Sequence, residues 1–198
     1  MKNIFRLFAT VAMVAALATS CSKTESAGPI DPPTPPTPVL TPGTLDIRFR
    51  CGGDLTKIAD MKFELSYKDG ESTQTKSFTD ADLVAKESSY TDPVLGVISF
   101  DHELVVSVPM ATLPSSATYG ITFTTKEGVD TESTARYNVS RALTFTYKGK
   151  NGDTVSTSTF DTSRTLGVRG NKLDELMTRL SNIYSAQEYT IKENGELK

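Results

Sequence analysis

Alternation of apolar and polar residues constrains this chain more than any other feature of its sequence. The stretch TLDIRFR places Leu45, Ile47 and Phe49 on one face and polar residues on the other. A period of two residues is typical of a β-strand with one buried face. The same alternation returns in MKFELSY, ELVVSVP, ATYGITFTT and ALTFTYK. Strands this short and frequent predict a mainly β fold, either an antiparallel sandwich or a partly open barrel.

Turn signals divide the alternating stretches into hairpins. Asp69-Gly70 and Asn151-Gly152 each follow a strand pattern and are strong hairpin signals. VLGVISF and ELVVSVP are predicted to form another pair, joined at Asp101-His102. The first two hairpins share one pattern and allow two small β units, 44–135 and 136–198. The second unit is short for an independent sandwich, so one continuous domain over 44–198 is favoured.

The period changes near the C-terminus, where the sequence predicts a helix. At 100° per residue the apolar residues fall on an arc of roughly 120°. These residues are Leu173, Leu176, Met177, Leu180, Ile183 and Tyr184. Asn171 is the predicted N-cap. We expect this amphipathic helix to lie over a sheet; the alternative is that its apolar stripe docks a partner.

Residues 1–20 have the composition of an export signal. Lys2 and Arg6 form a short positive region, and residues 7–18 are almost wholly apolar and uncharged. This run is too short for a membrane span of about 20 residues, so it predicts a signal peptide rather than a transmembrane helix.

Small residues at the end of this run lead directly into a cysteine. Ala18, Thr19 and Ser20 precede Cys21, and this arrangement resembles the lipobox of bacterial lipoproteins, which signal peptidase II cleaves. The strongest lipoboxes carry Leu where this chain has Ala18. The resemblance implies that Cys21 is acylated, palmitate included, and anchors the protein in a membrane. The alternative is a plain secretory signal beside a chance cysteine.

A proline-rich segment follows the cysteine. Seven of the chain's ten prolines lie between Pro29 and Pro42, so residues 21–43 are predicted to be a lipidated cysteine followed by a semi-rigid linker. The stretch SKTES is similar to the tags that direct Bacteroidota-type lipoproteins to the surface of the outer membrane. The resemblance implies a lipid-anchored outer-membrane protein and leaves open whether it faces the surface or the periplasm.

The stretch LPSSATYGITF suggests one structural corner. Leu113 lies six residues before Tyr119, which resembles the loop-to-strand corner of fibronectin type III and immunoglobulin-like domains. In that family Pro follows two residues after the Leu, whereas Pro114 follows directly here. The resemblance implies an antiparallel immunoglobulin-like sandwich, with one C-terminal helix, in which Tyr119 is structural.

Few residues of the chain carry recognisable chemistry. The only histidine, His102, lies in a polar stretch that predicts an exposed turn rather than a metal site. Asp80 and Asp82 either supply oxygens to calcium or cap a short helix. Cys51 is the only cysteine after Cys21 and is predicted to be a small buried residue. The sequence thus predicts no metal, no cofactor and no enzyme activity.

Composition narrows the function to binding or structure. The formal net charge of −3 argues against nucleic acid. The favoured function is a non-catalytic envelope lipoprotein that binds a protein or glycan, with Tyr90 as a weak candidate contact because the chain has no tryptophan. The alternatives are a structural or accessory subunit of a fimbria-like surface assembly and, less favoured, a carboxylate-based hydrolase.

Overall fold

The alternating stretches form the nine β-strands found among residues 43–69 and 71–198, which this computed structural model describes. Two 3-10 turns, Asp80–Asp82 and Gly170–Lys172, accompany the strands and helices. The elements in chain order are β1 (Gly43–Gly53), α1 (Leu55–Ile58), β2 (Ala59–Asp69), β3 (Ser72–Thr79), β4 (Val84–Asp92), β5 (Gly96–Met110), β6 (Ser115–Thr125), β7 (Arg136–Lys148), β8 (Thr154–Arg169), α2 (Leu173–Ile183) and β9 (Gln187–Ile191).

The predictions made for the N-terminal segment fall outside this part of the chain. The signal peptide 1–20, the lipidated Cys21 and the linker up to residue 42 all lie outside the described residues. They remain predictions from the sequence.

The strands form two antiparallel sheets that face each other, so the predicted fold class is confirmed. One sheet has the order β4-β5-β1-β7-β8 and the other has the order β3-β2-β6-β9. Seven of these strands follow the order of an immunoglobulin-type sandwich. In that fold the first strand would pair with β1 on the side opposite β5, and here β7 takes this place.

Apolar residues of both sheets meet in one main core. Aromatic rings dominate its centre: Phe49 lies 5.3 Å from Phe63 and 6.0 Å from Tyr184, measured between ring centroids. Edge-to-face pairs of this kind add about 0.5–1.5 kcal/mol each beyond the burial of apolar area. Cys51 is fully buried, as predicted, and burial raises the pKa of its thiol to about 12.

The two β units that the sequence allowed, 44–135 and 136–198, each contribute strands to both sheets. β7 pairs along β1, from Thr44↔Lys148 to Gly53↔Val139. β9 pairs with β6 in the other sheet. The two hairpins that share a sequence pattern lie in opposite sheets: β2–β3 is in one sheet and β7–β8 is in the other.

The predicted turn at Asp101-His102 is wrong. Both residues lie inside β5, and β4 pairs with β5 up to Asp92↔Gly96, so the turn falls at residues 93–95. Glu103 interrupts the apolar pattern for a reason other than a turn. It is buried inside the strand and forms ion pairs with Arg48 and Lys86 on the neighbouring strands.

The C-terminal helix forms as predicted but occupies a different place. It begins at Leu173 with Lys172 as N-cap, so the prediction that Asn171 caps it is wrong. The Ile121 N–H donates to the Tyr184 carbonyl at 2.9 Å, and the Phe123 N–H donates to Ser181 Oγ at 2.8 Å. The helix therefore runs along the edge of β6 rather than over a sheet. Backbone N–H groups at this edge need acceptors, and residues at the C-terminal end of the helix supply them.

The two residues of the predicted corner lie in or against the core. Tyr119 is 2% exposed, and its ring centroid lies 6.4 Å from that of Phe63 and 6.3 Å from that of Phe145. Leu113 is partly buried against the same core. In such corners the tyrosine hydroxyl also bonds to the backbone of the preceding loop, and for Tyr119 this bond stays a prediction.

Candidate functional site

The β4–β5 hairpin folds back across the outer face of its own sheet. β1 pairs with β5 as far as Cys51↔His102, and beyond this pair β5 passes directly over Gly52. A Cβ atom at Gly52 would lie 2.7 Å from the Ser99 carbonyl oxygen and 2.8 Å from Phe100 Cα. Only glycine leaves room for this crossing.

Residues on β7 and β8 hold the folded hairpin. Ser140 Oγ donates to the Ser99 carbonyl at 2.5 Å, and Arg164 Nη1 lies 3.5 Å from the Val97 carbonyl oxygen. The hairpin thus crosses three strands, from Gly52 on β1 over Ser140 on β7 to Arg164 on β8.

A second, small apolar core lies beneath the hairpin. Ile98, Phe100 and Ala142 are all at most 2% exposed and form a cluster separate from the main core. The Arg50 guanidinium lies 4.6 Å from the Phe100 ring centroid, a cation–π distance. This burial makes the hairpin a rigid part of the domain rather than a loose loop.

An ion cluster supports the root of the hairpin. Glu103 is 6% exposed and accepts from Lys86 Nζ at 2.6 Å and from Arg48 Nε at 2.7 Å. Burial by itself would raise the pKa of Glu103, but the hydrogen bonds from Lys86 and Arg48 outweigh it and hold the pKa below its usual range. The resulting stabilisation is present above the unfolded-state pKa and is lost as the pH falls through the folded-state value.

The turn at the tip is held by its own aspartate. Asp92 Oδ1 accepts from the N–H of Leu95 at 2.7 Å and from the N–H of Val94 at 2.8 Å. These two bonds lower the pKa of Asp92. Gly96 follows with φ of 73°, a conformation that glycine adopts without strain. The tip has a defined shape without any partner.

Four apolar or aromatic side chains near the tip of this hairpin, between residues 90 and 97, are exposed. Val94 is 87% exposed, Val97 59%, Tyr90 41% and Leu95 36%. A group of exposed apolar residues on one rigid element is typical of an interaction site, whereas scattered single residues are not. Tyr90, the contact predicted from the sequence, lies here, on β4 opposite Ile98 rather than in a loop.

A groove of about 510 Å³ opens beside the hairpin root. Its carboxylates belong to Glu87 and Asp101. Asp101 Oδ1 lies 2.7 Å from His102 Nδ1, and among the described residues no lysine or arginine forms an ion pair with either carboxylate. The groove therefore presents two carboxylates that no lysine or arginine of the described chain pairs with, and three serines complete most of its wall: Ser88, Ser89 and Ser99.

Neither a family model, nor a curated protein, nor a solved structure matches this chain. Because one fold supports many functions, function has to be argued from the site itself.

Asp80 and Asp82, the candidate calcium ligands of the sequence, both have structural partners. Asp82 Oδ2 accepts from the Thr79 N–H at 2.8 Å, so the prediction of a capped short helix is confirmed. Asp80 pairs with Lys126 at 2.9 Å. Burial would raise the pKa of Asp80, but the hydrogen bond from Lys126 outweighs it and lowers that pKa. Within residues 43–69 and 71–198, no three His, Cys, Asp or Glu side chains come together as metal ligands.

In the part of the chain that the structure describes, no helix combines the length and the apolar character that crossing a bilayer requires.

Sequence reasoning did not single out Val94, Leu95 and Val97. All three lie in VLGVISF, which the sequence predicts as one strand of a hairpin with ELVVSVP. A usable signal was present, because two aliphatic residues directly follow Asp92-Pro93, where a turn normally carries polar residues.

Replacing the turn aspartate tests whether the tip is preorganised. We expect Asp92→Ala to increase amide hydrogen exchange at Val94 and Leu95 several-fold, because their N–H groups lose their acceptor. Asp92→Asn, which keeps an acceptor oxygen, is the matched control and should change exchange much less. Equal exchange in wild type and Asp92→Ala would contradict a turn held by this side chain.

Proposed function

We propose that this protein is a non-catalytic lipoprotein of the bacterial outer membrane, anchored through Cys21, whose sandwich presents the β4–β5 hairpin for binding a protein or a glycan. The observation that carries the binding function is a rigid hairpin with four exposed apolar or aromatic side chains near its tip. The lipobox-like stretch at Cys21 supports the anchor.

The position of the hairpin suits a tethered binding module. The N-terminal segment joins the sandwich at Gly43, and the hairpin crosses β1 at Gly52. At about 3.3 Å per residue, these two points are roughly 30 Å apart along the strand. The point where the N-terminal segment joins the sandwich and the hairpin crossing therefore lie at opposite ends of β1.

The cysteine and histidine of the domain support a non-catalytic function. Cys51 and His102 are directly opposite on β1 and β5, and His102 Nδ1 lies 2.7 Å from Asp101 Oδ1. Cysteine, histidine and aspartate are also the residue types of a cysteine nucleophile with its general base and the carboxylate that orients the base. The Cys51 thiol is fully buried and its pKa is raised to about 12, whereas a nucleophile needs access and a lowered pKa.

The two cysteines provide a matched test of the anchor. We expect wild-type protein in the producing bacterium to incorporate labelled palmitate and to fractionate with membranes. Cys21→Ala should abolish the label and release the protein from the membrane, whereas Cys51→Ala should keep both properties. Palmitate that persists in Cys21→Ala, or its absence from the wild type, would overturn the anchored function.

One observation favours the alternative of a fimbria-like subunit. β8 spans 16 residues and, among the described strands, pairs only with β7. A long strand with one free edge can accept a strand from another molecule. Register shifts interrupt the β7–β8 pairing in three places, which limits such addition. Strand-exchanged polymers in size-exclusion chromatography would favour this alternative over a monomeric binding module.

A further inference from the structure

We infer that the β4–β5 hairpin docks a protein partner whose contact segment combines aliphatic side chains with lysine or arginine. This inference rests on the binding part of the proposed function and specifies the chemistry of the partner.

The apolar part of the surface is the tip. Val94, Leu95 and Val97 expose branched aliphatic side chains, and Asp92 holds the turn that carries two of them. A preformed turn loses little conformational freedom on binding, so burial of these side chains yields net affinity. The hairpin also packs on its own small core, which means that the exposed side chains are not needed to hold it in place.

The polar part of the surface is acidic. The cations around the hairpin are already engaged: Lys86 and Arg48 neutralise Glu103, Arg50 lies over the Phe100 ring, and Arg164 lies 3.5 Å from the Val97 carbonyl oxygen. Glu87 and Asp101 remain on the adjoining groove, and no lysine or arginine among the described residues pairs with them. Electrostatic complementarity therefore selects a cationic partner.

The same charges disfavour other occupants. A negatively charged membrane surface would face the Glu87 and Asp101 carboxylates with like charge. Two copies joined symmetrically through this hairpin would place the Glu87 and Asp101 carboxylates of both copies in one interface. A glycan gains less from aliphatic side chains than from aromatic faces, and Tyr90 is the one exposed aromatic side chain of the described hairpin residues.

Three peptides test the inference directly. The full chain, purified in detergent, is captured on a biosensor chip through a C-terminal tag and washed free of micelles. The probes are the peptides KLKVKLK, SLSVSLS and ELEVELE, all with blocked ends. We expect KLKVKLK to bind at least about tenfold more tightly than ELEVELE, with SLSVSLS in between, and its affinity to fall as salt is added.

Two double variants test the apolar tip and the groove carboxylates separately. Val94→Ser together with Leu95→Ser should weaken KLKVKLK binding about tenfold or more. Glu87→Gln together with Asp101→Asn should weaken it about threefold to tenfold and reduce its salt dependence. Val155→Ser is the matched control, because Val155 is 38% exposed on a different part of the domain. Circular dichroism melting checks that each variant stays folded.

Other results would overturn the inference, and they are distinguishable from failure of the proposed function. Equal binding of the acidic and basic peptides, or unchanged binding by the Val94 and Leu95 variant, excludes a basic and aliphatic partner. Binding to a glycan array without peptide binding also excludes it but leaves the proposed function intact. Self-association on the chip that requires the tip identifies a second copy as the occupant and overturns the inference. Loss of palmitate labelling bears only on the anchor.

Discussion

Asp161→Ala is expected to lower the free energy of unfolding by about 3 kcal/mol, because it leaves a buried cation without its partner. Arg141 on β7 is 4% exposed, and its Nε lies 3.0 Å from Asp161 Oδ2. The Tyr184 hydroxyl donates to the same carboxylate oxygen at 2.6 Å. Loss of the carboxylate thus removes the counter-ion of Arg141 and the hydrogen-bond acceptor of Tyr184 at once. Urea denaturation followed by circular dichroism measures the change.

Two control variants separate the ion pair from packing. Tyr184→Phe removes one hydrogen bond and should cost about 1 kcal/mol. Replacing both charges, with Arg141→Met and Asp161→Leu, should cost less than Asp161→Ala alone, because no unpaired charge remains in the core. If Asp161→Ala costs no more than Tyr184→Phe, the carboxylate does not compensate the Arg141 charge.

Gly52→Ala is expected to lift the β4–β5 hairpin from the sheet. The new Cβ would lie 2.7 Å from the Ser99 carbonyl oxygen and 2.8 Å from Ser140 Oγ, distances that Cβ atoms do not tolerate. Displacement of the hairpin exposes Ile98 and Phe100, whose burial contributes roughly 1.5–3 kcal/mol each. Amide exchange across residues 96–101 should therefore rise by about tenfold or more.

A second glycine provides the control for this variant. A Cβ at Gly149 would have Val155 Cγ2 as its nearest neighbour at 3.6 Å, so Gly149→Ala should leave exchange in the hairpin unchanged. Gly52→Ala should also weaken binding of the basic peptide, since the turn and the groove no longer hold their relative positions. Wild-type exchange rates in Gly52→Ala would show that the hairpin does not need this close crossing.

The local elements of this protein could be read from side-chain periodicity. Alternation around Leu45, Ile47 and Phe49 predicted β1, and an apolar arc from Leu173 to Tyr184 predicted the helix. Both predictions succeeded because each face is buried in one main core, and burial on one face imposes its period on the sequence. Asn151-Gly152 predicted the turn between β7 and β8 for a different local reason, because Gly152 adopts a φ of 84° without strain.

Arg141 shows where periodicity fails. It directly precedes ALTFTYK, the stretch in which the alternation is regular, although β7 runs from Arg136 to Lys148 and includes it. A buried arginine breaks the apolar pattern of the strand. Its compensation by Asp161 on the next strand and by the ring of Tyr184 on the helix became evident only from the three-dimensional contacts.

Local pattern and turn chemistry determined that this chain forms a β-sandwich with a C-terminal helix, since these signals act between residues close in sequence. Tertiary structure decided where the binding surface lies. The hairpin turns back because Gly52 leaves space, because Ser140 binds the Ser99 carbonyl, and because Glu103 pairs with Arg48 on a neighbouring strand. These partners are 41 to 55 residues apart, and such distant pairings leave no periodic signal in the sequence.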